Sequence, residues 1–254
     1  MVARCFAVAC LAAVTTCALA QTGGALVDPA EPQIVKPGTP LSAEARGDIM
    51  MARKMYREAI ESFQSENPKT AVVYNKIGIA YHQLQQLSLA KKFYEQSLKM
   101  KPNYAEALNN IGTVYYSQKS YRRAIGYYRR ALRISQSASI YSNLGTALFA
   151  RKEYKEATDA YQTALNLDPD VFERKSNFGT LLQDRNVEER AKFHYYLAKM
   201  YAKSGRNELA IQYVRKALEE GFKEREKLSE DPEFQALRDL PEFKELLTSE
   251  PRVL

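Results

Sequence analysis

The residues able to do bond-making chemistry are few and scattered. The chain has two histidines, His82 and His194, far apart in sequence. No H-E-x-x-H, G-x-S-x-G, phosphate-loop or dinucleotide-binding motif is present. Glu188 and Glu189 are neighbours, but adjacent side chains on a helix diverge, so they make no acid–base pair. The three cysteines, Cys5, Cys10 and Cys17, all fall in the first 20 residues. No thiol remains after them for a disulfide framework or a metal ligand. No nucleophile–base constellation can be assembled. The expectation is a non-catalytic protein with no cofactor and no metal.

What remains is recognition chemistry. Asn110, Asn143 and Asn177 each precede an apolar-Gly pair, and Asn75 lies one place earlier before Gly78. A carboxamide offers both donor and acceptor, so it suits the backbone amides of an extended peptide. Thr113 and Thr146 directly follow their glycines. Tyr116 and Phe149 stand beyond them as candidate aromatic anchors, and His82 holds the same place one unit earlier. These residues are the candidate peptide-binding set. Arg122, Arg123, Arg129, Arg130 and Arg133 form a second candidate, a basic patch. It reads either as a solvated face or as a contact for an anionic lipid, polymer or acidic partner.

Helices must position these residues. Tyr74, Ile77, Gly78 and Tyr81 fall at i, i+3, i+4 and i+7, which is one helical face. Ala90, Tyr94 and Ser97 make a second stripe after a break at residues 85–88, and Pro102 stops that helix. The phrase recurs. Gly78, Gly112, Gly145 and Gly179 stand 34, 33 and 34 residues apart, and a fixed period of this size signals a repeat array. A mid-helix glycine costs roughly 1 kcal/mol against alanine, so its recurrence asks for a packing reason: close approach of the paired helix, with Ala90, Ala124 and Ala157 as the matching small face. Tyr74, Tyr81, Tyr94, Tyr115, Tyr128, Tyr141 and Tyr161 are expected to fill the core between neighbouring pairs.

On these residues the chain resembles the tetratricopeptide-repeat (TPR) family, with its best copies at 71–104, 105–137 and 138–171. Pro102 and Pro169 close two copies. The middle copy is one residue short and has Gln136 where proline is expected. The resemblance implies an all-α fold: a right-handed superhelical solenoid of antiparallel helix pairs, with the asparagine phase facing the concave groove. The basic clamp that some members use for C-terminal carboxylates is incomplete, because Asn75 and Ile79 stand where Lys and Asn are expected.

The remaining divisions follow from composition. Residues 1–20 read as a signal peptide ending in Ala18-Leu19-Ala20, with lipidation of Cys17 as the alternative. Residues 21–40 read as a flexible linker rich in Pro and Gly, and 41–70 as a degenerate first repeat. Residues 172–190 read as an insertion or partial repeat, 191–222 as a further repeat, and 223–254 as a helical cap opened by Pro232 and Pro241. Apart from the leader, no stretch approaches the length of a transmembrane helix.

The net charge of +7 is mildly basic. Together with the apparent leader, it points away from nucleic acid. The function expected is an exported, periplasmic or secreted scaffold or assembly factor of the cell envelope that binds a protein segment in its groove. The alternative is a binder of anionic envelope lipid or polymer through the arginine face.

Overall fold

The computed structural model describes residues 40–172 and 186–248. The expected signal segment, nearly all of the linker, Asn177 and Gly179 lie outside the described residues. Helices pair in sequence order: α1 (Ala43–Ala52) with α2 (Tyr56–Ser65), α3 (Ala71–Gln83) with α4 (Leu87–Met100), and α5 (Ala105–Ser117) with α6 (Tyr121–Leu132). Then α7 (Ala138–Ala150) pairs with α8 (Tyr154–Leu167), and α9 (Val187–Lys203) with α10 (Asn207–Glu219). Each pair also packs on the next, so the described residues form an all-helical solenoid of helix pairs.

One turn joins the two helices of all five pairs. Every first helix ends in a residue with positive φ: Lys54, Gln85, Lys119, Lys152 and Gly205, at φ 60, 59, 56, 65 and 71°. At the third pair the Lys119 amide donates to the Tyr116 carbonyl (2.8 Å) and the Ser120 amide to the Tyr115 carbonyl (2.8 Å). The same two bonds recur at each of the other turns. This is the Schellman arrangement, which satisfies carbonyls left over at a helix end. It needs a left-handed residue, a conformation that disfavours any side chain with a Cβ. Only the last of the five turns uses glycine.

Helix starts are set locally. Ser42 and Thr70 accept the amides of Ala45 and Val73 at 3.1 and 3.2 Å, and Asn186 accepts that of Glu189 at 2.8 Å. These side chains satisfy donors that the first turn leaves open. Glu188 and Glu189 sit exposed in that same first turn, where negative charge is favoured. Gln136 replaces the missing proline by another means. Its amide donates to the Leu132 carbonyl (3.0 Å), and its carbonyl accepts the Tyr141 hydroxyl (2.6 Å).

The repeated glycines have a specific partner. Extra Cβ atoms on Gly47, Gly78, Gly112 and Gly145 would lie 2.3, 2.5, 2.5 and 2.6 Å from the rings of Phe63, Tyr94, Tyr128 and Tyr161. In each case the ring belongs to the paired helix and comes sixteen residues later. The aromatic therefore lies across the glycine of its own pair and also reaches the next one: Tyr94 packs with Ile111 and Val114, and Tyr161 lies 5.7 Å from Phe193. Ala90, Ala124 and Ala157 are buried beside it. The last pair holds Ala198 and Val214 at the same spacing, both fully buried. Of the seven tyrosines expected in the core, Tyr94, Tyr128 and Tyr161 are buried. Tyr74, Tyr81, Tyr115 and Tyr141 are half-buried at the surface.

Beyond α10, α11 (Glu226–Glu230), a 3-10 turn (Pro232–Leu237) and α12 (Pro241–Thr248) fold back on the last pair. Leu228, Phe234, Leu237 and Phe243 are fully buried there. Tyr195 of α9 stacks on Phe222 at 4.4 Å and hydrogen-bonds Asp231. Lys199 pairs with Asp231 (3.0 Å) and Glu233 (3.2 Å).

Candidate peptide-binding face

The first helices α3, α5 and α7 are joined by a chain of carboxamides. The Asn143 amide donates to the Asn109 carbonyl (2.9 Å), Asn109 donates to Asn110 (3.4 Å), and Asn110 donates to Asn75 (3.0 Å). Asn75 is buried, whereas Asn109, Asn110 and Asn143 are partly exposed. Each bond uses one of the two amide hydrogens of its donor. The partly exposed members retain hydrogen-bonding capacity toward solvent or a ligand.

Asn109 lies outside the set that the place directly before the apolar-Gly pair selects. Its signal lies in the spacing from the glycine: Asn109 stands three residues before Gly112, as Asn75 stands three before Gly78. Asn110 and Asn143 stand two before theirs, and each donates to the asparagine three before the glycine of the preceding repeat.

Several candidate residues turn out to face the core. Thr146 is buried; it accepts the Tyr161 hydroxyl (3.1 Å) and donates to the Ser142 carbonyl (2.9 Å). Thr113 does the same, with Tyr128 (3.4 Å) and the Asn109 carbonyl (3.2 Å). A threonine after the glycine thus satisfies the tyrosine that crosses it. Phe149 is also buried, at 5% exposure, because the α9 rings Phe193 and Tyr196 close over it at 5.4 and 5.8 Å. Asn75 and Thr146 are thereby removed from any open binding surface, Phe149 keeps only an edge on a recess, and Thr113 has its hydroxyl committed.

Tyr116 is partly exposed and packs on Tyr121 at 5.3 Å. With Phe149, Tyr154, Lys152 and Lys192 they line a recess between two consecutive turns. Lys192 lies over the Tyr154 ring, 4.9 Å from its centroid. The recess is aromatic inside, and its rim carries Lys119, Lys152 and Lys192 with one acid, Glu189.

The histidines have separate surroundings. His82 is half-exposed, and burial holds its imidazole below the ordinary value. His194 is buried inside α9, with Nδ1 2.7 Å from Glu220, which also holds Arg190 at 3.2 Å. Burial pushes the His194 imidazole down despite the opposing pull of Glu220. This arrangement ties α9 to the end of α10. The five arginines are all exposed on α6 and its C-terminal turn, and Arg123 and Arg130 lie over the rings of Tyr115 and Tyr127.

Stacked helix pairs carrying a carboxamide line and an aromatic recess define a helical-repeat protein built for contact. A family model described as "Tetratricopeptide repeat protein 21 forth ARM domain" matches residues 107–239, more than half of the chain. A second, described as tetratricopeptide repeat, matches residues 41–103. The chain belongs to the tetratricopeptide-repeat family.

An uncharacterized protein, ycf37, of Pyropia yezoensis is 36% identical over 85 residues, which are 34% of this chain and 47% of that protein. The photosystem I assembly protein Ycf3 of Rippkaea orientalis (strain PCC 8801 / RF-1) is 31% identical over 101 residues, 40% of this chain and 58% of that one. The chloroplastic tetratricopeptide repeat domain-containing protein PYG7 of Arabidopsis thaliana is 28% identical over 93 residues, 34% of this chain and 31% of that one. The chain thus spans about half the length of the first of these relatives. Among solved structures, the Cut9–Hcn1 hetero-tetramer of the APC/C shares the fold, with a TM-score of 0.51 and 19% identity over 81% of this chain and 35% of that one.

These relatives overturn the expected periplasmic or secreted destination, together with its variant anchored through Cys17. One relative is named as chloroplastic and another as a photosystem I assembly protein. No helix among the described residues is long and apolar enough to cross a membrane.

Proposed function

We propose that this protein is a non-catalytic scaffold for assembly of a protein complex, and that it holds an extended segment of its partner along the first helices. The observation that carries this reading is the Asn143–Asn109–Asn110–Asn75 chain across three consecutive repeats. Carboxamides bonded to one another are held in fixed orientations, so they meet a peptide backbone without a further ordering cost. Their remaining donors and acceptors match amides and demand no particular side chain.

Tyr116 and the recess beside it supply a place for one apolar side chain of the bound segment. Relatives named as a photosystem I assembly protein and a chloroplastic repeat protein support an assembly role.

Peptides selected from a displayed random library on this chain provide the ligand for a direct test. Titration followed by NMR of the side-chain amides should move the Asn109, Asn110 and Asn143 signals first. Shifts confined to other faces would refute the placement.

A further inference from the structure

One helical glycine lacks the explanation that serves the others. A Cβ on Gly126 would meet nothing within 4 Å, whereas those on Gly47, Gly78, Gly112 and Gly145 would strike a ring. Gly126 is exposed in the middle of α6, where glycine forgoes roughly 1 kcal/mol of helix stability relative to alanine. Its neighbours on the helix surface are arginines. With about 100° of rotation per residue, Arg122, Arg123, Arg129, Arg130 and Arg133 all fall within roughly 60° of Gly126.

All five are exposed, α6 contains no acidic residue, and none of the five forms an ion pair with a described carboxylate. Arg129–Arg133 and Arg130–Arg133, at i,i+4 and i,i+3, repel one another. The helix thus carries two unfavourable features at one place: a bare backbone notch and a ring of like charge, in which Arg123 and Arg130 have aromatic faces but no described carboxylate partner.

We propose that this face of α6 docks an acidic helix of a protein partner, whose axis passes over Gly126 while its Asp and Glu side chains pair with the surrounding arginines. Charge complementarity selects the acid, and the notch selects the helix. The arginines repeat at i,i+7, Arg122 to Arg129 and Arg123 to Arg130, a separation of about 10.5 Å along the axis. Carboxylates at i,i+7 on a facing helix repeat with the same step. Helix axes pack about 8–10 Å apart, the distance set by the side chains at the crossing, and Gly126 is the smallest residue such a crossing could use. Guanidinium forks then take the carboxylates two bonds at a time. Loosely arranged headgroup phosphates would use the charge and have no need of the notch. This surface is separate from the asparagine line and does not depend on it.

The test uses the full chain and a fluorescein-labelled alanine-rich helical peptide with Glu at i, i+3, i+4 and i+7, read by anisotropy at low salt. Gly126→Gln places a neutral, helix-favouring side chain in the notch. It should raise the melting temperature and weaken binding by roughly fivefold or more. Arg129→Ala/Arg130→Ala should weaken binding by roughly tenfold or more, and the same peptide broken by two prolines should bind more weakly than the intact helix. Asn110→Ala/Asn143→Ala should leave this binding unchanged. Equal binding of intact and proline-broken peptides, together with an unaffected Gly126→Gln variant, would overturn the helix-docking site in favour of a general polyanion patch. Preference for phosphatidylglycerol vesicles over the peptide would overturn it in favour of a lipid.

Discussion

Tyr128 lies across Gly112, with ring carbon Cε1 2.5 Å from the place a glycine Cβ would occupy. The tyrosine is 2% exposed, and its hydroxyl donates to Thr113, one residue beyond the glycine. The same triplet of glycine, threonine and crossing tyrosine recurs as Gly145, Thr146 and Tyr161. These two helix pairs are therefore each locked by one ring and one hydroxyl.

Gly112→Ala should destabilise the protein by about 1–3 kcal/mol despite alanine's better helix propensity, because the ring has no room to yield. The last pair indicates the remedy, since Ala198 and Val214 occupy the equivalent positions. Gly112→Ala/Tyr128→Val should cost less than the sum of its two single variants by about 0.5–3 kcal/mol, the usual range for residues in contact. Strict additivity in urea titrations would show that the two positions are not coupled.

The left-handed turn residue offers a stabilising change. Gln85 holds φ at 59°, whereas the equivalent residue in the last pair is Gly205. Gln85→Gly should stabilise by about 0.5–1 kcal/mol, the strain relieved less the entropy glycine loses on folding. Thermal unfolding checks this; a lowered melting temperature would mean that the Gln85 side chain contributes more than its backbone costs.

Both described histidines carry depressed imidazole values, caused chiefly by burial. The folded state then binds fewer protons than the unfolded state near pH 6, and stability rises with pH wherever the unfolded state holds more. The histidine contribution is fully present above the ordinary value of 6.5 and is lost as pH falls below it toward the folded-state values. Denaturant midpoints measured between pH 7.5 and 5.5 should fall, and His194→Gln should flatten that slope. A wild-type midpoint that does not change over this range would contradict the burial argument.

The repeat period, the glycine phase and the helix pairs were legible because each is a local pattern restated several times. The crossing partner of the glycine was less so: the pattern shows a small residue and an aromatic, but not that the ring lies across the glycine sixteen residues before it. Phe149 was misplaced because α9, whose Phe193 and Tyr196 cover it, follows a stretch that breaks the period. Asn109 escapes a reading that takes one asparagine per repeat, because two adjacent positions are used. The one two before the glycine (Asn110, Asn143) donates, and the one three before it (Asn75, Asn109) accepts from the next repeat.

The central claim is that the carboxamide line binds a partner backbone. Its most direct test is the affinity of Asn110→Ala/Asn143→Ala for a library-selected peptide, with circular dichroism and melting temperature recorded beside it. The account predicts affinity weaker by about 1–3 kcal/mol, near the net value of one to three lost hydrogen bonds, with helicity retained and little dependence on salt. An unchanged affinity accompanied by a lowered melting temperature would contradict it, and would show that the asparagines only join the repeats to one another.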